Sequence, residues 1–550
     1  MAKRARKKEQ FRVLIVYPNL SLMLVPSIAV GLLTRLMKGQ GYEVDLFDST
    51  PYISEENSSP QNRVKYLQAR SFDEENDLGF EIKEDLLGDF RRKVEVFKPD
   101  LMLFSVVEDA FRQAVSMLET VADLDIPHIL GGVFPTAAPQ RCMDFSVIKM
   151  VGVGEGENIV IEVAKAIRLS RSLGNIPGIW YRDDTGAVHQ NPMGPLVDIT
   201  KVTPDFGLID QARFVRPMGG RYFKTIPVET YRGCPYKCTF CNSPMQVTIS
   251  RDNELGNYLR RKSMTSLRKE LLDLIEIYHP EFFYFVDDSF LARPQQEIMD
   301  FCDMYQEIGL PFWFNTRPEN CTKANIHCIR EAGCYRISFG IECGNEEYRA
   351  AVLKRNVKNE KLIGQFDLIA DSGISFSLNL IIGFPGETRE LIMDTVNLVR
   401  SVRGYDTLTV SIFTPYYGTV LRDVAVKNGW LDSKTITKHT TSSSLLDMPP
   451  PYVSSQDIDG IMRVLPLYCY FGRSEWDRLR RAETDDEEGN EILKHYSEIY
   501  TKNFLKGTQN EEKDFVVSGG SGCQSNEKDA FRISPKRMNT DDIALLTMPS

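Results

Sequence analysis

The chain has 550 residues, a hydrophobic content of 42% and a formal net charge of -10. This length exceeds what one hydrophobic core supports, so we expect two or three domains, and the acidic balance argues against a general nucleic-acid binder, which needs clustered positive charge. No run of 18 apolar residues is present, which argues against a membrane span, and 11 cysteines, an odd number with three in one loop, favour a reducing cytoplasm over a disulfide framework.

A basic tail opens the chain at residues 1–10, where the positive charges lie between Lys3 and Lys8. It precedes the first strand pattern, and no apolar segment follows it, so it has the features of neither a signal peptide nor a membrane span. We expect a solvated tail and not a nucleic-acid arm.

Residues 11–170 alternate between strand and helix patterns. Short apolar runs predict strands at 11–17, 42–48, 101–105, 129–132 and 148–153, and apolar residues at helical spacing predict helices at 27–38, 109–122 and up to about 169. A polar insertion occupies about 52–90. This alternation predicts an α/β domain with a doubly wound, Rossmann-like parallel sheet, whose ligand crevice lies at the carboxyl ends of the strands.

The loops at that crevice supply the candidate ligand contacts of the first domain. They are Pro18, Asn19, Val25, Ser105, Gly131, Gly132, Gly152, Gly154 and Glu155. The glycines let a large ligand approach the backbone closely. None of these loops matches GxGxxG or a phosphate-binding loop, so neither a nicotinamide site nor an ATP site is indicated.

Residues 171–222 read as a linker with a short meander at 178–182 and several prolines. Residues 223–420 then repeat the strand and helix alternation, with strands predicted at 225–230, 282–286, 312–314, 336–340, 376–383 and 407–411. Six such units predict a partial (β/α)6 barrel of the TIM type, in which chemistry takes place at the carboxyl ends of the strands.

Three thiols follow the first barrel strand at a CxxxCxxC spacing, as Cys234, Cys238 and Cys241. Zinc sites usually recruit a second pair of ligands, and a redox pair needs only two thiols, so this spacing favours an iron–sulfur cluster with one open corner over three structural cysteines. The loop resembles the cluster-binding loop of the radical S-adenosylmethionine (SAM) enzymes. That resemblance implies a [4Fe-4S] cluster whose open iron binds SAM, and an adenosyl radical as the product of SAM reduction.

The first domain has a resemblance of its own. Its strand order, its glycine pair Gly131 and Gly132 and the closing Gly-Glu-Gly-Glu of 154–157 resemble the cobalamin-binding domain that precedes the catalytic domain in one large class of radical SAM enzymes. The DxHxxG loop that supplies a lower His ligand to cobalt in other cobalamin proteins is missing, so bound cobalamin is predicted to lack a His ligand. The alternative is a sheet that has kept its shape and lost its cofactor.

The resemblance also implies SAM contacts at the rim of the barrel. They are Phe240 near the adenine, Asp287 or Asp288, Arg317, Glu342, Asn379 and Gly383. Local alternatives remain open: a core aromatic for Phe240, a helix N-cap for one of the acids, and a neighbouring acid as the partner of Arg317. Tyr416 and Tyr417 are candidates to face the substrate, with packing as the alternative.

Four further cysteines, Cys321, Cys328, Cys334 and Cys343, match no second cluster motif, and we expect buried small hydrophobes. Residues 421–505 are predicted to be mainly helical and to cap the barrel. From 506 to 550 the sequence is polar and rich in glycine and serine, which predicts a disordered tail.

The resemblance favours a methyltransferase that moves a methyl group from methylcobalamin to an unactivated carbon, or a phosphinate, of a small metabolite. A radical cyclase or ring-rearranging enzyme is the first alternative. The second is an RNA- or protein-modifying radical SAM enzyme with a vestigial cobalamin domain, and the acidic charge weighs against RNA. The expected partners are a small-molecule substrate and an electron donor such as flavodoxin or ferredoxin, in the cytoplasm.

Overall fold

The computed structural model describes residues 10–21, 23–53, 59–69, 79, 81–218, 221–437 and 443–505. The predicted solvated basic tail, except for residue 10, and the predicted disordered tail lie outside the described residues. The chain divides into two compact units. Unit 1 comprises Met1–Ser58, Glu74–Phe214 and Thr248–Tyr258, and unit 2 comprises Ser59–Asp73, Val215–Val247 and Leu259–Ser550.

Unit 1 contains the predicted doubly wound sheet. Its seven strands are β1 (Arg12–Tyr17), β2 (Glu43–Asp48), β3 (Leu101–Ser105), β4 (His128–Gly131), β5 (Met150–Gly152), β6 (Ile179–Arg182) and β7 (Val188–Gln190), in the spatial order β2-β1-β3-β4-β5-β6-β7. The first five run parallel. Their apolar runs are covered on both faces, as the adjacent residues Val13 and Leu14 illustrate, which point to opposite faces of β1 and are both fully buried.

Helices connect the parallel strands. With helices numbered along the whole chain, they are α1 (Ile28–Gly39), α3 (Leu86–Phe97), α4 (Phe111–Thr120), α5 (Val133–Ala137), α6 (Pro139–Met143) and α7 (Gly156–Leu169). Helix α1 begins after Ser27, whose hydroxyl accepts the Val30 N–H at 3.3 Å and so satisfies one of the free amide groups of the first turn.

The predicted linker at 171–222 differs from the structure. Strands β6 and β7 form a hairpin that extends the sheet of unit 1 antiparallel to β5, and unit 1 continues to Phe214. The physical reason is the free edge of β5, whose backbone groups need partners that a linker would not supply. Arg213 fixes the end of this segment, because its buried guanidinium forms an ion pair with Asp48.

Unit 2 is built on a second seven-stranded sheet, which confirms the partial barrel. Its strands are β8 (Val215–Met218), β9 (Arg221–Val228), β12 (Phe282–Phe285), β13 (Phe312–Thr316), β14 (Cys334–Glu342), β15 (Ser375–Ile382) and β16 (Thr407–Ile412), in the order β16-β15-β14-β13-β12-β9-β8. Six of them run parallel, and β8 is antiparallel to β9. A separate pair, β10 (Tyr231–Arg232) and β11 (Arg260–Arg261), is antiparallel.

The helices of the barrel cover one face of this sheet. They are α9 (Met264–Tyr278), α10 (Gln295–Tyr305), α11 (Lys323–Glu331), α12 (Glu346–Ala351), α13 (Asn359–Ser372) and α14 (Arg389–Ser401). Helix α8 (Ser243–Asp252) precedes them in the chain, and its residues from Thr248 onward are assigned to unit 1. Aromatic residues fill the layer between sheet and helices: Phe285 and Phe312 contact Phe301 and Tyr305 of α10. Because side chains alternate along a strand, Tyr284 and Trp313 point to the opposite, inner face.

The last part of unit 2 is helical, as the sequence predicts. It comprises α15 (Val420–Lys427), α16 (Ser455–Tyr470), α17 (Trp476–Arg481) and α18 (Glu487–Tyr500). Helix α16 packs on α14 and β16, and Arg389 forms an ion pair with Glu483. Within the described ranges, no helix combines the length and the apolarity that a membrane crossing requires.

A segment from the early part of the chain also belongs to unit 2. It contains α2 (Ser59–Lys65) and the residues up to 69. Gln68 is buried, and its side-chain oxygen accepts the Val410 N–H of β16 at 2.9 Å. The predicted polar insertion therefore supplies a hydrogen bond to the edge strand of the barrel sheet.

Candidate active site

The cysteine loop lies at the carboxyl end of β9, the first parallel strand of the barrel. Gly233 has a φ of +100° and allows the turn out of β10 into the loop. The Cys241 N–H then donates to the Cys238 carbonyl at 3.2 Å, which closes a turn between the last two thiols. This position agrees with the rule that barrel chemistry takes place at the carboxyl ends of the strands.

The sulfur atoms of the cysteine loop accept hydrogen bonds from the protein, and the donor to Cys234 is the Tyr236 backbone N–H. The Ser243 N–H donates to Cys241 Sγ at 3.4 Å, and Arg317 Nη1 donates to Cys238 Sγ at 3.7 Å. Donors of this kind favour a charged sulfur over a neutral one and tune the reduction potential of a cluster that the sulfur binds.

The three thiols are half-buried, and burial raises their pKa values: that of Cys234 to about 11, that of Cys241 to about 12, and that of Cys238 as well. Thiolates in this loop therefore need a positive centre beside them. In the part of the chain that the structure describes, no three Cys, His, Asp or Glu side chains converge on one metal ion. Cysteine thiolates are the protein ligands of iron–sulfur clusters, so the donor set of the loop fits such a cluster.

Asp287, at the end of β12, anchors the entry to the cysteine loop. Its buried carboxylate accepts the Thr230 N–H at 2.7 Å, the Thr230 hydroxyl at 2.5 Å and the Tyr231 N–H at 3.0 Å. Arg293 adds an ion pair at 2.6 Å. With four protein donors, Asp287 acts in this structure as a support for the loop.

Asp288 is the more accessible acid of the pair. It is exposed, and it accepts a hydrogen bond from the Ser243 hydroxyl at 2.7 Å, next to Cys241. The surrounding protein raises the pKa of its carboxyl by desolvation. Of the two candidates, Asp288 therefore has oxygen atoms available for a donor of a bound molecule.

Arg317 lies above the cysteine loop on the side of the third strand. Its guanidinium stacks over the Tyr236 ring at 3.7 Å and forms an ion pair with Glu319. Burial opposes the ionisation of Glu319, but the Arg355 and Arg317 guanidinium groups hold its pKa below the usual range. The expected alternative, pairing of Arg317 with a neighbouring acid, is thus present together with its contact to the cysteine loop.

Glu342 closes β14 in a strained conformation, with a φ of +66° at a register shift of the sheet. Its carboxylate accepts a hydrogen bond from Arg355 Nη1 at 3.2 Å, and burial raises its pKa against the effect of that guanidinium. The backbone of Gly340 leaves room for it, since a Cβ there would lie 2.2 Å from Glu342 Oε1. Strained residues of this kind cluster at binding sites.

The remaining SAM candidates lie on neighbouring elements. The Phe240 ring packs against Phe384 at 5.7 Å between centroids. Asn379 is half-buried on the inner face of β15. Gly383, with a φ of +81°, donates its N–H to Glu387 Oε2 at 2.6 Å. Tyr416 and Tyr417 are half-buried, and Arg422 covers the Tyr417 ring at 3.5 Å.

Three charged residues of this region were not predicted from the sequence: Glu319, Arg355 and Glu387. Arg355 is buried and reaches both Glu342 and the Gly340 carbonyl, the latter at 2.8 Å. The sequence gives little reason to select Arg355, because it lies 13 residues after the end of β14. Only the folded chain brings it next to Glu342. Of the other cysteines, Cys321, Cys334 and Cys343 are buried and Cys328 is half-buried.

In unit 1, the candidate contacts gather at the carboxyl ends of the parallel strands. Ser105, Gly131 and Gly152 end β3, β4 and β5. At Gly131 a Cβ would meet nothing within 4 Å, and at Gly132, with a φ of +123°, a Cβ would lie 2.4 Å from a backbone oxygen. This rim thus presents backbone without side chains, which fits a large flat ligand.

The other candidates of unit 1 shape the loops beside that rim. The Asn19 amide donates to Thr50 Oγ1 at 2.8 Å, and Pro18 is buried beside it. Glu155 Oε2 accepts the Val197 N–H at 2.7 Å. The Val25 carbonyl accepts from Arg213 Nη2 at 3.2 Å, while Gly154 has a φ of +97°.

The described residues of unit 1 place no histidine at this rim. His128 begins β4 at the opposite, amino end, and its ring nitrogens lie 3.0 Å from the Ile126 and Val147 carbonyls. Burial lowers the pKa of His128, which favours the neutral form of the ring. His189 lies in β7 and contacts Asp183 at 2.6 Å.

Proteins of known family resemble this chain in sequence. Residues 228–399 match the radical SAM superfamily. The chain is 26% identical over 399 residues to an uncharacterized methyltransferase of Pyrococcus horikoshii, covering 71% of this chain and 83% of the relative. It is 26% identical over 347 residues to the anaerobic magnesium-protoporphyrin IX monomethyl ester cyclase of Rubrivivax gelatinosus, covering 59% of this chain and 58% of the relative. A third relative is the cytidylyl-2-hydroxyethylphosphonate methyltransferase of Streptomyces wedmorensis, 21% identical over 465 residues, with coverage of 77% and 82%.

Solved structures share the fold of most of this chain. The cobalamin-dependent S-adenosylmethionine radical enzyme OxsB gives a TM-score of 0.58 at 16% identity, covering 90% of this chain and 76% of the other. The radical S-adenosylmethionine methyltransferase TsrM from Kitasatospora setae gives 0.57 at 16% identity, with coverage of 90% and 100%. Residues 228–399 are therefore a radical SAM domain, in a chain that shares its fold with solved cobalamin-dependent radical SAM enzymes. A [4Fe-4S] cluster and SAM are the cofactors that this superfamily implies.

Proposed function

We propose that this enzyme is a cobalamin-dependent methyltransferase that places a methyl group on an unactivated carbon, or a phosphinate, of a small metabolite. One observation carries the proposal: a single chain combines the three-thiol loop of the half barrel with a doubly wound sheet whose rim is glycine and not histidine. The relatives from Pyrococcus horikoshii and Streptomyces wedmorensis, both named methyltransferases, support it.

In the half barrel, Cys234, Cys238 and Cys241 would hold the cluster. When bound, the cluster would supply the electron for the reductive cleavage of the carbon–sulfur bond of SAM. The Ser243 N–H and the Arg317 guanidinium stabilise negative charge on two of the sulfur atoms.

The acids and the amide at the rim would orient SAM. Asp288 and Glu342 offer carboxylate oxygens to the ammonium and ribose donors of SAM, and Arg317 offers a cation to its carboxylate. Phe240 provides an apolar surface for the adenine beside Phe384. Asn379 lies in β15, the fifth parallel strand, and its half-buried side-chain amide reaches the inner face. Gly383 directly follows that strand.

In unit 1, Ser105, Gly131, Gly132 and Gly152 would form the backbone floor for cobalamin, which supplies a transferable methyl group when bound. Because His128 and His189 are both engaged away from this rim, the described residues offer no imidazole to the cobalt.

Two other activities remain candidates. The match to the Rubrivivax gelatinosus cyclase favours a radical cyclase. That match covers only 58% of the relative's length. Modification of RNA or protein is favoured by matches to tRNA-2-methylthio-N(6)-dimethylallyladenosine synthases, one of which covers 35% of this chain. A low-potential flavodoxin or ferredoxin is the proposed electron donor for any of these reactions.

The test is anaerobic purification with cobalamin, followed by incubation with SAM and a reductant. We expect corrin absorbance in the purified protein and formation of both 5'-deoxyadenosine and S-adenosylhomocysteine. Cys238→Ala should abolish the 5'-deoxyadenosine, whereas Cys328→Ala, which removes a half-buried thiol outside the loop, should retain it. A protein without corrin contradicts cobalamin dependence, and 5'-deoxyadenosine without S-adenosylhomocysteine favours the cyclase.

A further inference from the structure

The inner face of the half barrel is mainly polar. At the positions that alternate with the buried aromatic layer, the strands carry Tyr284, Trp313, Asn315, Arg336, Ser338, Ser377, Asn379, Thr407, Thr409 and Ser411, together with the apolar Phe282 and Ile381. The interior of a closed TIM barrel is usually filled with branched apolar residues. An inner face of hydroxyls, amides and aromatic rings instead indicates a space that accepts a polar molecule.

A network of hydrogen bonds holds these side chains in fixed orientations. The Trp313 indole N–H donates to Ser338 Oγ at 2.8 Å, and the Ser377 hydroxyl donates to the same atom at 2.8 Å. Asn315 Nδ2 donates to the Tyr284 hydroxyl at 2.7 Å. The Tyr284 and Trp313 rings are stacked, with 4.0 Å between centroids and 13° between planes. The site is thus preorganised by side chains of four strands, β12 to β15.

A cation lies against this stack. Arg216 of β8 places its guanidinium 5.1 Å from the centroid of Trp313 and 5.7 Å from that of Tyr284. Among the described residues, it has no carboxylate partner and no hydrogen bond, whereas Arg336 of the same face pairs with Asp406. Burial lowers the pKa of Arg216, yet a guanidinium stays charged.

A half-buried charge without a counter-charge is costly, so natural sites retain one where a ligand supplies the opposite sign. Arginine matches carboxylate and phosphate oxygens with two parallel N–H donors. Tyr284 also lies three residues before Asp287, which corresponds to about 10 Å of strand below the rim. The cation is therefore set apart from the rim residues that would bind SAM.

We propose that Arg216 binds an anionic group of the substrate, a carboxylate or a phosphonate, on the inner face of the half barrel, with the Tyr284 and Trp313 stack as its platform. This inference rests on the proposed function, because it names the substrate class of the same active site. The anionic end of the substrate lies toward Arg216, and the end that reacts lies toward the cysteine loop.

Small probes of matched shape test this assignment. Binding of hydrocinnamate, its neutral amide hydrocinnamide, and benzylphosphonate to the cluster-loaded full chain is measured by calorimetry. We expect both acids to bind at least about tenfold more tightly than the amide, the gain of one charge-assisted pair. The stronger of the two acids identifies the carboxylate or the phosphonate as the group.

Variants assign the preference to one residue. Arg216→Gln should remove the preference for the acids, and Arg216→Lys should keep part of it because the charge remains. Arg403→Gln, which removes an exposed arginine paired with Asp367, is the matched control and should leave the preference intact. Iron content and circular dichroism show whether each variant is folded and loaded.

The inference is overturned if neither acid binds the wild-type protein, if acid and amide bind alike, or if Arg216→Gln keeps the preference. Its failure is distinguishable from that of the proposed function. Loss of the cluster or of 5'-deoxyadenosine formation in the wild-type protein contradicts the proposed function, whereas loss of acid binding with the cluster intact contradicts only the role of Arg216.

Discussion

Replacement of Asp287 by asparagine tests how the barrel supports the cysteine loop. Asp287→Asn keeps the size of the side chain but removes the charge that faces Arg293, and both side chains are almost fully buried. Breaking a buried ion pair on one side costs about 3–5 kcal/mol, because the remaining charge is left without a partner. The same change replaces one carboxylate oxygen by an NH2 group, so either the Thr230 N–H or the Thr230 hydroxyl loses its acceptor.

For the stability of unit 2, this loss corresponds to a fall in Tm on the order of 10 °C. Differential scanning calorimetry of the full chain measures it, and iron content after reconstitution measures the effect on the loop. The control is Asp300→Asn, which changes an exposed aspartate whose carboxylate accepts from Gln296 on α10. The double variant with Arg293→Gln should lose less stability than the sum of the single variants.

The reasoning is refuted if Asp287→Asn melts within about 1 °C of Asp300→Asn and takes up a full complement of iron, since a spread of that size lies within the effect of an ordinary surface substitution. A variant that melts normally but takes up no iron would place Asp287 at the cofactor itself. That result would revive the alternative in which this acid contacts SAM.

Three further predictions concern unit 2. Burial raises the pKa of the Glu387 carboxyl from 4.5 to about 8, so the folded state holds the carboxyl proton more tightly than the unfolded state. The stability that the protonated carboxyl contributes is therefore full below about pH 4.5 and declines as the pH rises to about 8. Glu387→Gln should flatten that part of the pH dependence of Tm, and an unchanged slope would contradict a buried neutral acid. Gly344→Ala should destabilise by about 1–3 kcal/mol, because its Cβ would lie 2.4 Å from the Asp394 backbone oxygen, whereas Gly364→Ala on α13 meets nothing within 4 Å and should be neutral or stabilising. Equal Tm values for these two variants would argue against the close approach at Gly344. Glu342→Gln should weaken SAM binding, measured by equilibrium dialysis, by about tenfold, which is the value of one charge-assisted hydrogen bond. The control Glu331→Gln changes an exposed glutamate and should leave the affinity for SAM unchanged. Equal affinities of the two variants would show that Glu342 does not bind SAM.

Features with a local signal could be predicted from the sequence. The six barrel strands and the cysteine loop are examples, because an apolar run of Phe282 to Phe285 and three thiols within eight residues carry their own evidence. The sequence predicts a linker where the structure has the hairpin of β6 and β7, because the strand that the hairpin pairs with, β5, lies some 30 residues earlier. A strand that completes a sheet edge depends on a long-range partner, which local pattern does not report.

The site residues divide along the same line. Asp287 and Asp288 are adjacent and chemically identical, so only the fold shows that Asp287 is saturated by Thr230, Tyr231 and Arg293. Arg216 and Arg355 lie outside every motif, and their importance follows from what surrounds a charge once the chain is folded. Periodicity could have placed Tyr284 on the inner face, but not beside a guanidinium.

The hydrogen bond between Gln68 and Val410 has a consequence for how this enzyme can be taken apart. A single cut after residue 214 would separate two pieces of sequence but not two folding modules, because the later piece would lose residues 59–69 and leave the β16 edge without them. Exposed strand edges pair with other chains, so we expect such a fragment to aggregate. Any rearrangement of these modules, in the laboratory or in evolution, has to carry this short stretch along with the half that lies far downstream of it.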